Sequence, residues 1–302
     1  MKLVHGGDTV GYRERYGHDA LDFSANVSPL GVPEAVARAI GEAAFQADQY
    51  PDPLCRALTA ALSQTEAVPK AWILCGNGAA DLIFRLALAE KPKHALVLAP
   101  TFAEYAAALK TVDCEIHRHM LREENDFALT NDVLNAIEPP IDRVFLCQPN
   151  NPTGQAADRT LMRRILAKCE AVGARLAVDE CFLDFLPDGE AWTMKPELAA
   201  HPGLFILKAF TKLYGMAGVR LGYGLCADED LLARMRRAGQ PWAVSTLAQT
   251  AGLAALGQTE YVTQVRTLIE TERPYLLEGL RALGLRVIEG RANYLLFRAD
   301  ET

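Results

Sequence analysis

The stretch Phe205–Gly224, FILKAFTKLYGMAGVRLGYG, sets one lysine, Lys212, between two apolar runs. Phe205–Leu207 and Val219–Leu225 have the β-rich character of buried strands, so Ala209–Gly218 reads as the connection between them. A lysine among apolar side chains is desolvated, which disfavours its charged form and frees its amine to attack a carbonyl carbon. Arg220, on the same connection, is a fixed cation suited to a phosphate. Lysines and arginines are mostly solvated, so the pair gains meaning only from what neighbouring strand ends carry.

Outward from that stretch, short apolar runs alternate with helical periods. Trp72–Cys75 precedes Ala79–Glu90, Ala95–Ala99 precedes Phe102–Lys110, Val144–Cys147 precedes a helix over Asp158–Ala171, and Leu176–Val178 follows. This alternation predicts a three-layer α/β/α fold with a mostly parallel sheet, in which a ligand site gathers at the carboxyl ends of the strands. Upstream, the segment through Gly31 is rich in Gly, Pro, Ser and Asn and reads as an irregular arm that needs a surface to lie on. Helices are expected over Pro33–Phe45 and Leu54–Leu62, separated by Tyr50-Pro51-Asp52-Pro53. After Leu225 the pattern turns helical over Asp228–Ala238, Ser245–Gly257 and Glu260–Leu283, and strands over Leu285–Ile288 and Tyr294–Phe297 close the sequence.

Composition narrows the function classes. The chain has 302 residues, half of them hydrophobic, with a net charge of −7, a globular composition that argues against nucleic acid as the partner. Arg234, Arg236 and Arg237 read as a solvated helix face. The seven cysteines are scattered without metal-ligand spacing, as buried free thiols are, so no metal is expected and a reducing cytoplasm is the expected location. The opening residues lack a signal-peptide core, and no apolar run is long enough to span a membrane.

Four strand-end segments carry residues with chemistry. Gly76-Asn77-Gly78-Ala79-Ala80-Asp81 leads from a strand into a helix, where backbone amides and the helix dipole can seat an anion, although such a turn needs glycines in any case. Pro149-Asn150-Asn151-Pro152-Thr153-Gly154 has ordinary turn chemistry, yet it places the Asn151 amide where it can donate to a phenolate oxygen. Asp179, at the end of the Leu176–Val178 run, would be costly to bury without a cation or proton donor; its alternative is a cap on the next turn. Phe102 offers a flat stacking surface or a piece of core. An aromatic face, an anion seat, an amide, a carboxylate, an amine and an arginine are together what pyridoxal 5′-phosphate requires.

The ordered motifs GNGAAD, PTFAEY, PNNPTG, VDE and TKLYGMAGVRLGY resemble those of the aspartate-aminotransferase superfamily of fold-type I pyridoxal-phosphate enzymes, in particular the histidinol-phosphate aminotransferases. The arm, HGG…LDFSANVSPLG, is similar to that of the threonine-phosphate decarboxylases of cobalamin biosynthesis. The resemblance implies that Lys212 forms the Schiff base, Asp179 keeps the pyridine nitrogen protonated, Asn151 meets the ring oxygen and Phe102 stacks on the ring. It assigns the phosphate to Gly78, Ala79, Ala80, Thr211 and Arg220, with Tyr50 reaching in from a second subunit of a homodimer. His5 and Asn26 are the expected substrate-side residues. Residues 1–46 are expected to form the arm and part of a smaller α+β domain, 47–259 the large cofactor-binding domain, and 260–302 the rest of the small domain, incomplete. Two departures from the family stand out. Phe182 occupies the place of a tyrosine that usually follows the ring-nitrogen aspartate, which favours decarboxylation of L-threonine O-3-phosphate over histidinol-phosphate transamination. The family's carboxylate-binding arginine lies in a C-terminal segment, whereas this sequence stops at Thr302 and neither Arg291 nor Arg298 stands in that motif, so either the chain is truncated or another residue holds the substrate. A reading from another class is therefore a cofactor-binding protein without catalysis.

Overall fold

The computed structural model describes residues 6–299. In chain order the elements are α1 (Thr9–Tyr16), α2 (Glu34–Ala43), α3 (Arg56–Glu66), β1 (Ile73–Gly76), α4 (Gly78–Glu90), β2 (His94–Ala99), α5 (Ala103–Lys110), β3 (Glu115–Met120), β4 (Arg143–Cys147) and α6 (Arg159–Ala171). They continue with β5 (Arg175–Asp179), β6 (Leu204–Ala209), α7 (Phe210–Leu213), β7 (Gly222–Leu225), α8 (Glu229–Ala238), α9 (Thr246–Leu256), α10 (Thr259–Ala282), β8 (Arg286–Ile288) and β9 (Leu296–Arg298).

Seven strands form one sheet in the order β1-β7-β6-β5-β4-β2-β3. All neighbours pair in parallel except β7, which runs antiparallel to both β1 and β6. Alternate residues of each strand enter opposite cores, as the pleat requires. Leu96, Val144, Leu176 and Ile206 pack with α3, α6 and α9, whereas Val97, Phe145, Ala177 and Leu207 pack with α4, α5 and α8. The expected three-layer α/β/α architecture is therefore present, and burial on both faces explains why its central strands are continuous apolar runs.

Three local features differ from the sequence reading. Strand β3, EIHRHM, was not expected; it pairs only with β2 at the sheet edge and stays half-exposed, so it carries no apolar run. The arm contains helix α1, capped by Asp8 accepting from the Gly11 amide, with none of its residues buried and so no apolar stripe to announce it. The strand expected from Val219 begins only at Gly222, because Arg220 takes a left-handed φ of 61° and turns the chain. No helix among the described residues is long and apolar enough to cross a membrane. All seven cysteines are buried and unbridged.

Candidate functional site

Lys212 lies on α7, the single helical turn that follows β6. It faces a cavity of about 120 Å³ whose wall also includes Ala79, Ala80, Phe102, Asn151, Asp179, Thr211 and Arg220. Eight residues singled out from sequence thus converge on one space, joined by Cys147, Cys181, Phe182 and Ala209. Strand register accounts for the convergence. Cys147 and Asp179 are paired across β4 and β5, and Ala209 is paired with Gly222 across β6 and β7, so the walls come from adjacent strand ends.

The Asp179 carboxylate is buried at this junction. Oδ2 accepts from the Tyr105 hydroxyl at 2.7 Å and Oδ1 from the Cys181 amide at 3.0 Å. Burial raises its pKa above the ordinary carboxylate range, while the Cys181 and Tyr105 hydrogen bonds and the nearby Lys212 ammonium oppose that rise. Lys212 is shifted the other way. Burial lowers its pKa, the Arg220 charge pushes in the same direction, and Cys181 and Asp179 partly offset both. Its Nζ stands 5.3 Å from the Phe182 ring centre. A side chain that can neither accept nor donate a proton thus flanks the amine.

An anion seat adjoins the lysine. Gly78 opens α4 with a φ of 81°, and a Cβ built there would lie 2.6 Å from Arg220 Nη2, so only glycine admits the guanidinium so close to the helix N-terminus. A Cβ on Gly222 would lie 2.6 Å from the Ala79 amide nitrogen, so glycine there lets β7 pack directly against the first residues of α4. The turn is held by Asp81, whose Oδ2 accepts from the Asn77 amide at 2.8 Å while Oδ1 accepts from Arg85 Nε at 2.8 Å. The helix N-terminus and the Arg220 guanidinium bring positive charge to this corner of the cavity.

Asn150, beside Asn151, ties the loops together. Its Nδ2 donates to the Pro100 carbonyl at 3.0 Å and to Thr153 Oγ1 at 3.0 Å, its Oδ1 accepts from Thr101, and its carbonyl accepts from the Tyr294 hydroxyl at 2.9 Å. Tyr294 in turn packs edge-on against Phe182. The arm lies on the lysine loop: the Ser28 amide donates to the Lys212 carbonyl at 2.8 Å, and Tyr261 bonds Ser28 and the Gly31 carbonyl. Asn26 is half-buried near this contact without lining the cavity, and His5 lies outside the described residues. Tyr50 is also absent from the cavity wall; it is 81% exposed, with its ring against Trp242.

Sequence reasoning gave no role to Tyr105 or to Lys208. Tyr105 sits inside the quoted motif PTFAEY, and a buried phenol needs a hydrogen-bond partner, which was the available signal. Lys208 gave none: it is buried on β6 between Asp184 Oδ1 at 2.9 Å and Glu66 Oε1 at 3.2 Å, both brought in by tertiary folding. Glu66 also bonds the Tyr223 hydroxyl and Lys195 Nζ.

Comparison with known proteins follows this geometry. Residues 18–300 match the family described as aminotransferase class I and II. The threonine-phosphate decarboxylase of Salmonella typhimurium is 40% identical over 281 residues, covering 93% of this chain and 77% of that protein. Histidinol-phosphate aminotransferase 1 of Cupriavidus pinatubonensis is 32% identical, covering 93% of this chain and 74% of that protein. The crystal structure of the histidinol-phosphate aminotransferase from Clostridium acetobutylicum superposes with a TM-score of 0.86 at 27% identity, over 93% of this chain and 83% of that one.

Proposed function

This chain belongs to the class I and II aminotransferase family, and on that premise we propose that it decarboxylates L-threonine O-3-phosphate with pyridoxal 5′-phosphate, giving (R)-1-aminopropan-2-yl phosphate for cobalamin biosynthesis. The chemistry of the cavity's lining supports that cofactor. The Gly78–Ala80 amides, Thr211 and Arg220 would hold the phosphate, Asp179 the ring nitrogen, Asn151 the ring oxygen and Phe102 a ring face. Lys212, with a lowered pKa, offers the amine for the aldehyde. Once bound, the cofactor supplies an electron-poor ring that stabilises negative charge on the substrate's Cα.

The observation that carries the choice of reaction is Phe182 beside Lys212. Decarboxylation breaks the bond from Cα to the carboxyl carbon, leaves the electron pair on Cα as CO₂ departs, and asks Lys212 only to deliver one proton there. Amine transfer asks Lys212 to remove a proton from Cα and redeliver it elsewhere, a task that a neighbouring hydroxyl would assist and a phenyl ring cannot. Asp179, gripped by Tyr105 and the Cys181 amide, would hold its carboxylate toward the ring nitrogen. The arm around Asn26 and His5 is assigned to the substrate.

We further assign residues 1–46 and 260–302 to a small domain and 47–259 to a large one, in a homodimer whose second subunit supplies Tyr50. The exposure of Tyr50 and of Phe45, at 81% and 91%, supports such a contact. The test is to incubate purified protein and pyridoxal phosphate with L-threonine O-3-phosphate and follow CO₂. Release without any keto acid is expected. The similarity to histidinol-phosphate aminotransferases favours the second reading, which 2-oxoglutarate-dependent amine transfer from histidinol phosphate without CO₂ would establish. Cofactor binding with neither reaction would leave a protein that binds without catalysis.

A further inference from the structure

At the opposite edge of the sheet from Lys212, three side chains converge that the reaction does not use. His94 opens β2 and Glu115 opens β3, and the two are paired in register; His117 follows two residues along the same face of β3. His94 Nδ1 lies 3.3 Å from His117 Nε2 and 3.5 Å from Glu115 Oε2, and His117 Nε2 lies 3.5 Å from Glu115 Oε1. Two ligand atoms bound to one zinc ion at about 2.0–2.1 Å and at the tetrahedral angle are about 3.4 Å apart. The two imidazole nitrogens already stand at such a separation, each has a different oxygen of the Glu115 carboxylate at 3.5 Å, and one ligand atom from each of the three residues lies within 4.8 Å of the others.

The backbone that carries these donors is fixed independently of any ion. Asp142 accepts from the amides of Lys93 at 2.8 Å and His94 at 3.2 Å, and the Glu115 amide donates to the Lys93 carbonyl at 2.8 Å. Both imidazoles are half-buried and Glu115 is exposed, so an ion could enter from solvent and find two nitrogens and one oxygen. Sequence spacing does not reveal the set, because α5 separates the strand of His94 from that of Glu115 and His117.

We propose that His94, Glu115 and His117 bind a divalent first-row transition ion of the zinc class, with water completing the coordination. Two imidazoles and a carboxylate suit zinc, cobalt or nickel better than calcium or magnesium. The five residue steps from His94 to Ala99 put about 17 Å of strand between the ion and the carboxyl end of β2. The ion's role is consequently structural: it fastens β3, which pairs on one side only, to β2. The inference is independent of the proposed reaction.

Chelator-treated, dialysed protein titrated with zinc chloride in a calorimeter tests it. One zinc per chain is expected, with affinity falling by more than roughly 100-fold in His117→Ala, since even outer partners of a bound metal are worth 10–100-fold. Glu115→Gln, an exposed change that should leave the fold intact, is expected to weaken binding as well, and zinc should raise the melting temperature of the wild type but not of His117→Ala. His119→Ala, whose ring faces Asp132 instead, should bind as the wild type does. Absence of saturable binding, or one-to-one binding that persists unchanged in both His117→Ala and Glu115→Gln, would overturn the proposal and leave a plain hydrogen-bonded trio.

Discussion

Lys208, near the end of β6, and Lys212, on the helical turn α7 that follows it, have surroundings that shift them in opposite directions. Lys208 is enclosed by Asp184 and Glu66; burial alone would lower its pKa, but these and other anionic partners hold it well above the ordinary value. Lys212 is enclosed by Phe182 and faces Arg220, and its pKa is lowered. One lysine is held as a cation bracing the end of β6, and the other is the amine of the proposed reaction. Desolvation acts on both; the anionic partners of Lys208 outweigh it, and those of Lys212 do not.

The contrast can be broken most sharply at Lys212. Lys212→Ala should abolish the visible absorption band that pyridoxal phosphate gives with the wild type and lower turnover by roughly 10⁴-fold, read from CO₂ release, with the melting temperature little changed. Lys208→Met should do the reverse. Removing one partner of a buried pair costs about 3–5 kcal/mol, so urea unfolding should show a large loss of stability, whereas protein that remains folded keeps the absorption band.

Acid sharpens the same comparison. Burial alone would raise the Glu66 pKa, but Lys208, Tyr223 and Lys195 outweigh it and hold the carboxyl at about 2, against 4.5 ordinarily. Because the folded value is the lower one, the stabilisation is full above pH 4.5 and is lost as pH falls toward 2; it amounts to about 3 kcal/mol. Stability measured across that window should fall steeply in the wild type and more gently in Glu66→Gln. The smallest expected effect is that of Tyr105→Phe. It removes one hydrogen bond from Asp179 and should weaken pyridoxal-phosphate affinity about tenfold, or about 1.4 kcal/mol, in an equilibrium titration.

The two lysines also mark where the sequence was readable. The central strands were legible because burial on both faces makes them unbroken apolar runs, and each strand end announced one residue of the cavity. Edge strand β3 and helix α1 were not, since neither has a buried face to impose a period. Lys212 could be found because its partners sit in short motifs at strand ends. Lys208 could not, because Glu66 comes from α3 and Asp184 from the turn after β5, and only the packed fold brings them together. The His94–Glu115–His117 cluster was hidden for the same reason.

The difference between the lysines is open to direct chemical trapping. Protein incubated with pyridoxal 5′-phosphate, reduced with borohydride and digested for peptide mass spectrometry should carry the cofactor on Lys212 and leave Lys208 unlabelled. A label on Lys208, a label spread over exposed lysines, or none at all would contradict the account.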